Sequence, residues 1–332
     1  MNVAQIIDRL KADASFRQNM TAWRTLPPRP ARYAGFPEQL DPRLVEGLKA
    51  RGVTNLYTHQ REAIDAVLAG GHVCVVTPTA SGKTLCYNVP VLNAIVANPN
   101  ARALYLFPTK ALSQDQVAEL QTTIDTLQVK IGTYTFDGDT PASARKAIRS
   151  AGHIVVTNPD MLHTGILPHH TIWMKLFENL EYVVIDELHH YRGVFGSHLA
   201  NVLRRLKRIC AFYGSNPKFI CCSATIDNPK EMAERIVEKP MRLVNNNGAP
   251  QGERHFLFYN PPVVNRELGI RASSVKEATR VASQMLSRNV QSIVFARSRL
   301  RVEILTTYLK EAVRRIGKSD KLVCGYRGGY LP

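Results

Sequence analysis

Apolar residues along this chain come in short unbroken runs separated by stretches with helical spacing. The runs at 72–76, 103–107, 154–157, 182–185 and 219–222 mix Val, Ile, Leu, Phe and Cys with little polar interruption, and a more mixed strand-like stretch covers 129–136. A strand that is apolar at consecutive positions, not alternate ones, is buried on both faces. Between these runs lie helix-like stretches at 57–69, 85–96 and 228–237. Another spans 197–211, where Leu199, Val202, Leu203, Leu206 and Ile209 fall on one face. Short buried strands alternating with helices predict an α/β fold, a largely parallel sheet with helices on both faces. In such folds ligands gather at the carboxyl ends of the strands, where this chain places its polar loops.

The flanks read differently. Residues 1–55 form an N-terminal helical extension, with Val3, Ile6, Ile7 and Leu10 at helical spacing and a break at Pro27-Pro28-Arg29-Pro30. A second short helix covers 42–50, with Asp41 as its N-cap and Pro42 at its first position. The polar run 245–252, rich in Asn and Gly, sets a boundary after a first domain over 56–248. Beyond it, 249–332 supplies predicted strands at 255–259, 291–295 and 321–324 with helices at 275–286 and 298–315. That alternation is still in progress at Pro332, so the chain is expected to be a fragment carrying the incomplete start of a second domain.

Candidate chemistry clusters at strand ends. Residues 77–84 (Thr-Pro-Thr-Ala-Ser-Gly-Lys-Thr) stand between a buried strand and a helix, the architecture of a phosphate-binding loop, although Thr77 replaces its usual first glycine. Main-chain N–H groups of Thr79, Ala80, Ser81 and Gly82 can cradle polyphosphate. Lys83 can reach β/γ phosphates, and the Thr84 hydroxyl can take a Mg²⁺ position. The strand 182–185 delivers Asp186-Glu187-Leu188-His189. There Asp186 is suited to hold Mg²⁺ and Glu187 to orient and deprotonate an attacking water; the alternative is a helix-capping acidic pair. Gln60, 23 residues before Lys83, has the donor and acceptor needed to read an adenine edge, while a solvated helix glutamine is the plain reading. Ser223-Ala224-Thr225 ends another strand with small hydroxyls able to link the metal loop to a neighbouring domain.

Charge narrows the partners. Lys and Arg number 43 against 27 Asp and Glu, for a net charge of +16, which favours a polyanion, nucleic acid before anionic membrane. Arg204, Arg205, Lys207 and Arg208 either form a solvated basic face or touch a nucleic-acid backbone. The six cysteines include no C-x-x-C pair, and Cys74, Cys221 and Cys222 lie in buried runs, so core thiols are expected over disulfides or a zinc site. Residues 1–16 lack the apolar segment of a secretory signal and no apolar run reaches 18 residues, so a cytoplasmic location is expected.

Taken in order, Gln60, 78–84, 108–112, Asn158-Pro159-Asp160, 186–189, 223–225 and Ile293-Val294-Phe295 resemble the superfamily-two helicases of the DEAD/DEAH group, built on RecA-like domains. Residues 57–60, 137–141, 186–198 and 326–330 are similar to the MrfA/YprA-type DNA helicases, relatives of the fungal RecQ-like helicase of genome maintenance. The resemblance implies an ATP- and Mg²⁺-dependent 3′-to-5′ DNA translocase in DNA repair, acting on single-stranded or tailed DNA. By it, Lys83, Asp186 and Glu187 are catalytic, Thr84 and Asp186 hold Mg²⁺, Gln60 reads adenine, and Ser223 and Thr225 couple hydrolysis to domain movement. Thr109, Lys110, Asn158, Pro159 and Asp160 track one nucleic-acid strand. Full-length relatives also carry late arginine motifs and a cysteine-rich C-terminal domain. The chain alone is therefore expected to bind nucleotide and DNA yet hydrolyse poorly. Two other classes stay open: an RNA helicase or restriction-type translocase on the same engine, and a non-catalytic ATP- and DNA-binding remnant.

Overall fold

The computed structural model describes residues 3–127 and 129–326. They fall into two compact units. One is 29–251; the other joins the described residues up to Pro28 with those from Gly252 onward.

The unit 29–251 is built on a seven-stranded sheet. Its strands are β1 (Val73–Val76), β2 (Arg102–Leu106), β3 (Thr133–Thr135), β4 (Ile154–Thr157), β5 (Leu180–Ile185), β6 (Lys218–Ser223) and β7 (Arg242–Val244). The spatial order is β7-β1-β6-β5-β2-β4-β3, and every neighbouring pair is parallel. Strand pleating sends alternate residues into two separate cores, which explains the unbroken apolar runs. Val73, Val75, Ala103, Tyr105, Ile154, Val156 and Val184 face one core. Cys74, Val76, Leu104, Leu106, Val155, Val183 and Ile185 face the other. The first core is covered by α1 (Thr58–Leu68), α2 (Lys83–Ala97) and α3 (Lys110–Asp125). The second is covered by α4 (Ala142–Ala151), α5 (Gly193–Phe212) and α6 (Pro229–Val237). The RecA-like parallel sheet expected from the sequence is present. Most boundaries agree within two residues; the exceptions are 129–136, where only Thr133–Thr135 pairs as a strand, α5, which starts at Gly193, four residues before the expected 197, and β7, which was not expected.

Smaller readings hold as well. Asp41 caps the helix Pro42–Ala50, its carboxylate accepting from Arg43 N. Five cysteines are buried and unpaired, with Cys324 exposed. Among the described residues no helix is long and apolar enough to cross a membrane.

The other unit departs from expectation. The extension expected to be helical has helices Val3–Ala12 and Ala14–Gln18, but Met20–Leu26 is a strand, antiparallel to Arg254–Tyr259. Phe16 stacks on Tyr259 with ring centroids 4.8 Å apart, in a small cluster with Ile6, Leu10 and Leu257. The strands expected at 291–295 and 321–324 are not formed. Ile293 and Phe295 are 78% and 90% exposed, and Asp320–Leu322 is a 3₁₀ turn. A strand needs a partner ladder for its N–H and C=O groups, and no described residue pairs with these segments. Of the expected motif 326–330, all but Tyr326 lies outside the described residues.

Candidate active site and nucleic-acid face

Strand order decides which loops meet. β1, β6 and β5 are consecutive neighbours, with Val76 opposite Ser223 and Ile185 opposite Cys221. The loops 77–82, 223–225 and 186–190 therefore leave the sheet side by side. β2 and β4 are neighbours too, with Leu106 opposite Thr157, which brings Thr109-Lys110 beside Asn158-Pro159-Asp160. The sheet thus sorts the predicted residues into two adjoining groups.

The phosphate-type loop is closed by side chains where glycine is missing. Thr77 Oγ1 and Ser81 Oγ lie 2.6 Å apart, both buried. Ala80 and Gly82 have left-handed backbone, φ +60° and +76°, so Ala80 carries strain that a glycine would not. Gly82 is the N-cap of α2. Lys83 Nζ donates to the carbonyls of Thr77 and Pro78, both at 3.0 Å, so the ammonium lies folded over the loop. Gln60 is 2% exposed and docked on the same loop. Its Nε2 donates to Gly82 O at 2.9 Å, and its Oε1 accepts from Tyr57 N at 2.8 Å, closing the first turn of α1. One amide hydrogen and one lone pair of Gln60 remain for other contacts.

Asp186 stands at the end of β5, 9% exposed. It accepts from Glu187 N at 2.8 Å and from the Tyr87 hydroxyl at 3.1 Å. Burial, opposed by those two bonds and reinforced by the Glu187 charge, pushes its pKa up to about 6. Tyr87 lies one turn after Thr84 on α2, and its hydroxyl is also 3.0 Å from Gln116 Oε1 on α3. Thr84 Oγ1 is 3.4 Å from that same oxygen. A buried carboxylate with two donors keeps lone pairs free, and a hydroxyl belongs to the same network. Hard oxygens of this kind suit Mg²⁺. Among the described residues no group of three or more His, Cys, Asp or Glu forms a protein-only metal cage.

Glu187 adopts left-handed backbone at φ +51°, an uncommon conformation for a residue with a Cβ. Its Oε2 lies 3.2 Å from His189 Nδ1, close but without hydrogen-bond geometry. Burial lowers the His189 pKa, although the Glu187 charge opposes it. Ser223 is fully buried and its Oγ has no hydrogen-bond partner among the described residues, whereas Thr225 is exposed.

On the second group, Thr109 and Asn158 are helix caps. Thr109 Oγ1 accepts from Leu112 N at 3.4 Å, and Asn158 Oδ1 accepts from Met161 N at 2.8 Å. Pro159 is buried behind them. Lys110 is paired with Asp139, and Asp160 lies 3.5 Å from His198. The basic face of α5 is largely engaged within the unit, since Arg204 and Lys207 both pair with Glu238. Sequence reasoning did not single out Tyr87, Gln116 or His59. The i+3 spacing of Thr84 and Tyr87 was a usable signal; nothing local marked Gln116.

A strand, a phosphate-type loop and a helix beside an acidic strand end, on an all-parallel sheet, define a RecA-like nucleotide-binding domain. The DEAD/DEAH box helicase model matches residues 57–232, and the chain belongs to that family. It is 56% identical over 327 residues to the uncharacterized ATP-dependent helicase YprA of Bacillus subtilis, covering 98% of this chain and 43% of that protein. It is 35% identical over 335 residues to the ATP-dependent helicase HRQ1 of Saccharomyces cerevisiae, covering 99% of this chain and 31% of that protein. The crystal structure of the DUF1998 helicase MrfA bound to DNA superposes with a TM-score of 0.95 at 56% identity, covering all of this chain and 44% of that one. MrfA bound to DNA and AMPPNP gives 0.93 at 54% identity, covering 46% of that chain. The chain thus spans less than half the length of these relatives.

Proposed function

We propose that this chain is the ATP-dependent motor segment of a DNA helicase or translocase that moves 3′-to-5′ on single-stranded or tailed DNA in DNA repair. We place it in the cytoplasm and read 249–332 as the start of a second RecA-like domain. The observation that carries the reading is the grouping of Lys83 and Thr84 after β1 with Asp186 and Glu187 after β5, the two strands that flank β6, with Thr109, Lys110 and Asn158 to Asp160 on the adjoining pair β2 and β4. DNA is preferred because MrfA, the similar helicase, has been crystallised bound to DNA. A net charge of +16 suits such a partner.

In this reading the N–H groups of Thr79, Ala80, Ser81 and Gly82 and the start of α2 bind the phosphates. Lys83 exchanges its two loop carbonyls for β/γ oxygens. Thr84 and Asp186 hold Mg²⁺, which when bound neutralises charge on the phosphates. Glu187 orients the attacking water and takes its proton. Gln60 uses its remaining donor and acceptor on the adenine edge. Ser223, buried and without a side-chain hydrogen-bond partner among the described residues, and Thr225 link the acidic loop to domain movement. Thr109, Lys110, Asn158, Pro159 and Asp160 line the DNA path, where backbone contacts give little sequence preference.

The test is ATP turnover by the 332-residue chain, with and without single-stranded DNA, beside K83A and E187Q. Such turnover as the chain alone supports should fall by about 10²-fold or more in both variants, while E187Q still binds nucleotide. Turnover indifferent to K83A would overturn the assignment. Displacement of DNA and RNA strands from matched 3′- and 5′-tailed duplexes then separates polarity and substrate.

A further inference from the structure

One hydrogen-bonded chain runs from the phosphate-type and acidic loops to α3, the helix whose first turn carries Thr109 and Lys110. Thr84 and Tyr87 belong to α2, Gln116 to α3, and Asp186 to the end of β5. The links are 3.4 Å from Thr84 Oγ1 to Gln116 Oε1, 3.0 Å from Tyr87 Oη to the same oxygen, and 3.1 Å from Tyr87 Oη to Asp186 Oδ2. Tyr87 is 1% exposed, and burial raises its pKa well above the phenol range, so its hydroxyl is a neutral donor. A tyrosine has one proton and here faces two acceptors. A hydroxyl committed to Asp186 leaves the Gln116 carbonyl with Thr84 as its donor. One committed to Gln116 leaves Asp186 with the Glu187 N–H alone. The two arrangements are alternatives, and a ligand that engages Thr84 and Asp186 acts on both ends of the choice.

The other end of the lever is α3. It is a 16-residue helix whose cap is Thr109 and whose first residue is Lys110. Gln116 lies seven positions after that cap, roughly 10 Å along the axis at 1.5 Å per residue. We propose that Tyr87 and Gln116 are positioning residues that couple occupation of the phosphate site to the placement of α3, and so to nucleic-acid affinity at Thr109 and Lys110. This rests on the nucleotide and DNA assignments above. Coupling of this kind is reciprocal: whatever nucleotide does to DNA affinity, DNA does to nucleotide affinity.

The experiment measures the dissociation constant of a fluorescent single-stranded DNA with and without Mg²⁺–AMPPNP for the wild-type chain, Y87F, Q116M and the double variant. Y87F removes only the hydroxyl, and Q116M keeps volume while removing the amide. The wild-type ratio of the two constants should differ from one by about fivefold or more. Each single variant should bring that ratio to within about twofold of one while still binding nucleotide, and the double variant should lose nothing further. Three results overturn the proposal: a wild-type ratio of one, a ratio preserved in both variants, or constants that weaken in parallel with the ratio intact. The last would mark a merely structural role. Failure of the parent reading looks different, because the wild-type chain would then bind no nucleotide, or bind it equally in K83A.

Discussion

At Gly82 two demands meet on one Cα. Its φ of +76° disfavours any side chain, and an added Cβ would lie 2.6 Å from Gln60 Nε2. G82A must strain the backbone and displace an amide that makes two hydrogen bonds, together about 2 kcal/mol. We expect weaker binding of a fluorescent ATP analogue and a Tm about 4–8 °C lower; an unchanged melt and affinity would refute the geometry. His59, next to Gln60, makes a second residue-level prediction. It is wholly buried, its Nδ1 accepts from Gly248 N at 3.1 Å, and burial holds its pKa down to about 4. The unfolded chain, with a histidine pKa near 6.5, takes up the proton first as pH falls. Stability from this group is therefore full above about pH 6.5 and lost down to about pH 4, by about 3 kcal/mol at most. H59N, which keeps the acceptor, should flatten the denaturation midpoint between pH 7 and 5. A slope unchanged from wild type would exclude His59 as its source. The placement of Lys83, Asp186 and Glu187 after buried strands was legible in sequence, because unbroken apolar runs mark those strands and the residues follow them directly. The Tyr87–Gln116 contact was not, because it depends on how far apart α2 and α3 lie.

Among the elements, the interior strands were the most legible. A parallel strand buried on both faces writes itself as an unbroken apolar run, as Ile154–Thr157 does. Met20–Leu26 carries no such signature, since its partner Arg254–Tyr259 is more than two hundred residues away and its burial is irregular. The segment 291–295 shows the converse, a strand-like composition without a ladder to join. The helices owe their placement to close approaches as much as to propensity. At Gly196, in the first turn of α5, an added Cβ would sit 2.4 Å from the carbonyl oxygen of Tyr191. G196A gains about 1 kcal/mol in helix propensity but forces main chain apart, an overpacking that costs about 1–3 kcal/mol. The clash should win, lowering Tm and shifting the loop after Glu187; a stabilised G196A would mean that α5 can back away freely.

For the whole molecule the governing quantity is charge. For the DNA partner proposed above, an excess of sixteen positive charges predicts an affinity steeply dependent on salt, with a slope of about −0.7 per phosphate contacted on a single strand. Lys110 is restrained by Asp139, which is itself 81% exposed at its side chain. D139N should free that ammonium, tighten single-stranded DNA binding and steepen the slope by about 0.7, while K110A should do the reverse. Anisotropy titrations from 50 to 200 mM salt, a range of about fourfold, would show this. Equal slopes in all three proteins would remove Lys110 from the DNA path.

The strand order β7-β1-β6-β5-β2-β4-β3 has one more consequence. From β1 to β2 is three lateral steps, roughly 14 Å at the spacing of hydrogen-bonded strands. The sheet is thus a ruler, and its graduations are peptide hydrogen bonds that substitution of side chains does not rescale. In the motor segment proposed above, such a ruler supplies no stroke of its own. Within this unit any travel is left to the rim, where loops and helix ends can move without breaking a ladder of peptide hydrogen bonds.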